Sequence, residues 1–150
     1  MSYLSADPID PAALLDAFAR AATGAGAIVS FSGVVRGEGG VRELWLDHHP
    51  RLTEQAIGEV EVEAKRRFEL DALTILHRIG SVSPGEPIVF VAAASRHRRV
   101  AFDAVDYIMD RLKTDAPFWK REASASGEHW IEARPEDHSD RARWEVIDER

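Results

Sequence analysis

The sequence contains no cysteine, which excludes disulfides, thiolate nucleophiles, thiolate metal sites and a covalently carried sulfur. Any sulfur chemistry must use sulfur brought by another molecule. Long apolar runs are also missing. No stretch approaches the roughly 18 consecutive apolar residues of a membrane span, and the opening segment MSYLSADPIDPAALL has neither a basic start nor a signal-like apolar run. The expectation is a soluble cytoplasmic protein. Basic charge is in the minority, with 19 Lys and Arg against 26 Asp and Glu and a net charge of −7. That balance argues against broad binding to nucleic acid or anionic membranes, so an anion site must be a local concentration of positive side chains. Repeats, low-complexity tracts and linker-like shifts are absent, and the 150 residues, 45% hydrophobic, read as one domain over 1–150.

What is present reads as alternating helices and strands. Asp10 followed by Pro11 is a cap and first-turn pair, and Leu14, Leu15, Phe18 and Ala22 recur at helical spacing until Gly24 and Gly26. Residues 27–35 (AIVSFSGVV) read as a buried strand delivering Arg36 to a glycine-rich loop, and 41–48 (VRELWLDH) as a second strand. The two are expected to form a long hairpin. Pro50 breaks the second strand, Thr53 is the expected cap of the next helix, and Ile57, Val60, Ala64 and Phe68 form its apolar stripe. Residues 72–79 and 87–94 are strands joined by a turn at Ser83, Pro84 and Gly85. Val100, Ala101, Ala104, Val105, Ile108 and Leu112 define a third helix with Ser95 as its expected cap. A last hairpin covers about 118–134, and the charged segment 135–150 reads as a loose C-terminal arm. This order lacks βαβ alternation, so the fold class is α+β with a mainly antiparallel sheet.

Positive charge gathers in two places. Arg96, His97, Arg98 and Arg99 form an unbroken run at the entrance of the third helix, where free backbone N–H groups favour an anion. The alternative is a solvated helix entrance. Lys113 closes the same helix, where a cation also serves the dipole. Lys120 and Arg121 follow Phe118 and Trp119 in a strand, a setting in which a lysine is either desolvated toward use as base or nucleophile or simply snorkels to water. His48, His49, His77 and His97 lack zinc-motif spacing, so no metal site is read, and the glycines at 37, 39 and 40 lack the Walker lysine and the dinucleotide pattern. From Arg98 to Lys113 is fifteen helical steps, about 22 Å. If both ends serve one ligand, the simplest solution is a two-fold dimer whose sites each take one helix end from each subunit.

The segments GAIVSFSGVVR (26–36), HRIGSVSPGE (77–86), SRHRRVAFDAVDYIMDRLKTDAPFWKRE (95–122) and WIEAR (130–134) together resemble the large, catalytic subunit of molybdopterin synthase. The resemblance runs from about 8 to 144. It implies an α/β hammerhead fold with a mainly antiparallel sheet and an additional small antiparallel sheet or hairpin. It also implies a homodimer of large subunits within a heterotetramer that carries a small ubiquitin-like sulfur-carrier subunit at each end. That partner supplies sulfur as a C-terminal Gly-Gly thiocarboxylate, and two sulfurs pass to cyclic pyranopterin monophosphate to form the dithiolene of molybdopterin. No cofactor is implied. Carried over residue by residue, the resemblance puts catalysis at Lys113 and Lys120 and substrate contacts at Val34, Val35, Arg36, His97, Arg98, Lys113, Lys120, Arg121 and Glu122, with Arg134 as a further anion contact. The loop after Arg36 is shorter than the family pattern, and His49 stands where tyrosine is common. Two other readings are a non-catalytic module that binds a ubiquitin-like tail and a phosphate-ligand sensor. The lysine pair discriminates against a sensor, which has no use for them beyond Arg36 and Arg98.

Overall fold

The computed structural model describes residues 3–37, 41–116, 118–124, 127–131 and 135–148. Chain order is β1 (Leu4–Ser5), α1 (Pro11–Ala21), β2 (Ala27–Val34), β3 (Val41–His48), α2 (Pro50–Arg67), β4 (Ala72–Arg78), β5 (Gly80–Val82), β6 (Pro87–Ser95), α3 (Arg98–Thr114), β7 (Phe118–Ser124), β8 (Gly127–Ile131) and α4 (Pro135–Asp148). The strands form two four-stranded sheets, ordered β1-β4-β6-β2 and β5-β3-β7-β8. Every pairing is antiparallel except β1 with β4. The α+β class with mainly antiparallel pairing therefore holds.

The first sheet is organised around β6, whose run PIVFVAAAS is buried from Val89 to Ser95. Alternation sends its side chains to two different cores. Val89, Val91 and Ala93 meet Ile57, Val60 and Ala64 of α2 and Ala104, Val105, Ile108 and Leu112 of α3. Phe90, Ala92 and Ala94 meet Phe18 of α1 on the opposite face. Each fully buried large apolar side chain stabilises the fold by about 1.5–3 kcal/mol. This is why one uninterrupted apolar strand can hold helices on both sides.

Helix ends follow local chemistry. Asp10 Oδ1 accepts the Ala13 N–H at 3.2 Å ahead of Pro11, as the cap-and-proline signal requires. For α2 the cap is His49, not Thr53. Its Nδ1 accepts the Leu52 N–H at 3.1 Å, while Thr53 Oγ1 accepts the His49 N–H at 3.1 Å, and Pro50 starts the helix. For α3 the cap residue is His97, not Ser95, and its side chain makes no capping bond. Ser95 Oγ instead donates to the His97 carbonyl at 2.5 Å.

Two larger expectations are corrected. β2 and β3 are not a hairpin: β2 pairs with β6 in the first sheet, and β3 pairs with β5 and β7 in the second. The glycine-rich loop is thus a crossing between sheets. The charged segment after 134 is a helix, α4, rather than a loose arm. Trp144 is 7% exposed and sits edge-to-face on Tyr107 and Phe68, and Arg143 donates to both Asp106 and Asp110 of α3.

Candidate active site

The register of β2 and β6 decides which candidate groups are neighbours. Ala27 is opposite Ser95 and Val34 opposite Pro87. Arg36 therefore leaves one end of the strand pair, whereas Arg96, His97 and Arg98 leave the other. Seven strand steps separate the ends, about 24 Å. Within one chain Arg36 and Arg98 do not share a small ligand.

At the Arg36 end, the pairing shifts between Gly33 and Val34. Gly33 is confined by its neighbour, since a Cβ there would lie 2.6 Å from Val89 Cγ1. After the shift Val34 is 50% exposed, whereas Val35 is 7% exposed and packs with Leu44, Leu46 and Val82. Arg36 is exposed. This in-out pattern plants Arg36 on a buried valine anchored between the two sheets.

The helix α3 packs back across β2 and β6. Leu112, in its last turns, shares a cluster with Val89 and Ile88 at the Pro87 end of β6. The exposed Lys113 next to it is consequently returned toward the Arg36 end. Lys120 enters from the second sheet. Position 120 of β7 is opposite Leu46, 121 opposite Trp45 and 122 opposite Leu44, so the KRE segment runs beside the β3 leucines that pack on Val35. Strand position 120 is thus opposite Leu46, which shares a core cluster with the Val35 that precedes Arg36. Arg134 lies outside the described residues, as does part of the loop after Arg36.

At the other end the backbone is tightly held and the side chains are open. Gly26 N–H donates to the Ser95 carbonyl at 3.0 Å, and a Cβ at Gly26 would come within 2.1 Å of the Arg96 carbonyl. Only glycine permits that crossing. His97 and Arg98 are exposed beyond it at the start of α3, where unsatisfied N–H groups complement an anion. Among the described residues neither Arg98 nor Lys113 is in an ion pair, so both charges remain available to a ligand.

Other features lie apart from these groups. A cavity of about 130 Å³ between α2, α3 and α4 contains Arg67, Arg111 and Arg141 but none of the candidate residues. Its arginines are already engaged, by Trp144 and the Tyr107 ring, by Asp115, and by Asp115 with Glu145. Arg78 and Glu86, an ion pair of a buried arginine with a partly exposed carboxylate beside the Val35 anchor, are not singled out by sequence reading. The signal available was a lone arginine ending an apolar strand, followed by a Pro-Gly-Glu turn.

Comparison with known proteins identifies the family. The family model described as MoaE protein matches residues 4–115. The molybdopterin synthase catalytic subunit of Pseudomonas aeruginosa is 49% identical over 139 residues, covering 91% of this chain and 93% of that relative. Among solved structures, the molybdopterin biosynthesis MoaE protein of Burkholderia ambifaria has a TM-score of 0.81 at 38% identity, covering 96% of this chain and 98% of that one. The molybdopterin synthase structure from Staphylococcus aureus has a TM-score of 0.76 at 26% identity, covering 87% of this chain and 96% of that one. With a family match across most of the fold and relatives this similar over nine tenths of the sequence, the chain belongs to the MoaE protein family, that of the molybdopterin synthase catalytic subunit.

Proposed function

We propose that this chain transfers two sulfurs, in succession, from the thiocarboxylated C-terminus of a small ubiquitin-like subunit to cyclic pyranopterin monophosphate, forming the molybdopterin dithiolene. The observation that carries the reading is the separation of two cationic groups to opposite ends of β2 and α3. A two-fold dimer reunites them, with His97 and Arg98 of one protomer facing Arg36, Lys113 and Lys120 of its partner. Arg36, His97 and Arg98 hold the phosphate and pterin, because a guanidinium fork matches phosphate oxygens in two directions at once. Val34, Arg121 and Glu122 line the approach, Val35 supports Arg36 from the core beneath it, and Arg134 adds a further positive contact.

The chemistry gives the lysines their task. The thiocarboxylate sulfur bonds to a substrate carbon and displaces an oxygen substituent there, giving a thioester to the tail. Water then adds to the acyl carbon, negative charge develops on the acyl oxygen, and its collapse breaks the acyl carbon–sulfur bond, leaving sulfur on the pterin and a carboxylate on the tail. An ammonium placed at the acyl oxygen stabilises that charge or delivers a proton. Lys113 and Lys120 fill these roles. The lack of cysteine supports the division of labour, since the sulfur arrives on the partner's tail. A heterotetramer, two of these chains with one small subunit at each end, is the assembly proposed, and a cytoplasmic location belongs to the same reading.

The test is direct. The purified chain is mixed with thiocarboxylated small subunit and cyclic pyranopterin monophosphate, and the dithiolene product is sought by mass spectrometry. Product formation that depends on the chain supports the reading. Tight binding of the small subunit with no conversion would leave only a tail-binding module.

A further inference from the structure

Where the two sheets meet, a buried arginine paired with a partly exposed glutamate is left unused by the proposed reaction. Arg78 ends β4 and is 4% exposed. Its Nη1 donates to Glu86 Oε2 at 3.1 Å and its Nη2 to the Ser81 carbonyl at 3.0 Å, while its Nε has no partner among the described residues. A buried guanidinium with an unsatisfied donor is poor design for stability alone, because its desolvation is costly and a pair with a partly exposed carboxylate returns only part of that cost. The arrangement calls for another reason.

The pair controls the seat of Arg36. The other oxygen of Glu86 accepts the Ser83 N–H at 3.3 Å, fixing a turn in which Gly85 takes a φ of +89°, open chiefly to glycine. That turn grips Val35 through both its backbone groups. Val35 N–H donates to the Glu86 carbonyl at 3.0 Å, and Gly85 N–H donates to the Val35 carbonyl at 2.8 Å. On the far side of Arg36, a Cβ at Gly37 would lie 3.3 Å from Pro84 Cβ. Arg36 is therefore held between two residues that rest on one turn. Through Ser81 the same guanidinium also holds β5, which pairs with β3, the neighbour of the strand that carries Lys120.

We propose that Arg78 is a positioning residue: acting through Glu86 and the Ser83–Glu86 turn, it fixes Arg36 relative to the Lys120 strand so that the phosphate-bearing substrate meets a preformed grip. This rests on the reading above for the role of Arg36. It also explains the buried charge, since a fork with donors in two fixed directions can join a turn to a strand where an ammonium cannot.

Steady-state kinetics of the full chain, with its thiocarboxylated partner and cyclic pyranopterin monophosphate, test the proposal in wild type, Glu86→Gln, Arg36→Ala and the double variant. Glu86→Gln is nearly isosteric, removes the charge that holds Arg78, and leaves the Arg36 side chain itself unaltered. The expected result is an increase in KM of about tenfold with kcat within about twofold. In the Arg36→Ala background the same change is expected to alter KM by about twofold or less, because the residue acts through Arg36. Arg78→Lys is expected to reproduce the KM effect rather than rescue it. Equal KM effects in both backgrounds, or unchanged kinetics in Glu86→Gln, would overturn the proposal. If wild type makes no product, the function itself has failed, and amide exchange still reads the seat. Exchange at Val35 and Gly85 is expected to quicken in Glu86→Gln while Ala92 stays protected; unchanged exchange at Val35 would overturn the positioning role.

Discussion

Arg141 Nε donates to Asp115 Oδ1 at 2.9 Å across 26 residues of sequence, tying α4 to the end of the helix that carries Lys113. Arg111 donates to the other oxygen of the same carboxylate from one turn earlier in α3. One acid thereby receives two arginines, a clasp between the C-terminal helix and the C-terminal end of α3.

The clasp has a defined pH dependence. Burial raises the Asp115 pKa, but hydrogen bonds from Arg141 and Arg111 outweigh burial and hold the carboxyl below its ordinary value. A group depressed in the folded state contributes stability above the ordinary aspartate pKa of about 3.9, and the contribution is lost as pH falls through the folded-state value. Asp115→Asn is expected to lower stability by about 1–2 kcal/mol at neutral pH. Urea unfolding at pH 7 and pH 3 checks it: the gap to wild type should narrow in acid, and a gap independent of pH would contradict the assignment.

Trp144 anchors the same helix. Its ring lies 5.4 Å from Tyr107 and 6.1 Å from Phe68, both edge-to-face, and its Nε1 donates to Asp110 at 2.6 Å. Trp144→Ala is expected to destabilise the protein by about 3–5 kcal/mol and to speed amide exchange along 135–148. A loose arm would show fast exchange already in wild type and no stability loss in the variant.

Lys113→Ala and Lys120→Ala test the chemistry separately from the fold. Lys113 is exposed, so its removal is expected to leave the melting temperature unchanged while dithiolene formation falls about 100-fold or more, the scale of a lost proton donor or oxyanion partner. Lys120→Ala is expected to reduce turnover on the same scale. Near wild-type turnover in either variant, measured by product mass spectrometry, would remove that lysine from the mechanism.

Much of this architecture is legible in the sequence, for physical reasons that differ by element. Asp10 with Pro11 announces α1 because cap and first-turn preferences are local, and the apolar stripe from Ala101 to Leu112 announces α3 because burial repeats with the helical period. Strand existence is equally local, but strand partnership is not. Val29 faces Ala93, more than sixty residues away, and alternation along 27–35 carries no information about that choice. The glycines after Arg36 therefore read as a hairpin turn when they connect two sheets. Helix α4 was obscured by its charge. Its anchors are one tryptophan and arginines whose acidic partners, Asp106, Asp110 and Asp115, lie on another helix. For the candidate site, the residue types and the fifteen-step separation on α3 were readable, whereas the Arg78–Glu86 support was not, because its meaning depends on the turn it holds against Val35.

The central claim is that each site draws cations from two protomers, and subunit complementation measures it. Arg98→Ala and Lys113→Ala chains are each expected to be nearly inactive alone. After dissociation and reassembly together, about half the dimers contain one of each chain, and each of those has one fully equipped site of two, so activity should return to about a quarter of wild type. If the mixture stays at the level of its parents although mixed dimers form, both groups serve the same chain's site, and the shared two-fold site is contradicted.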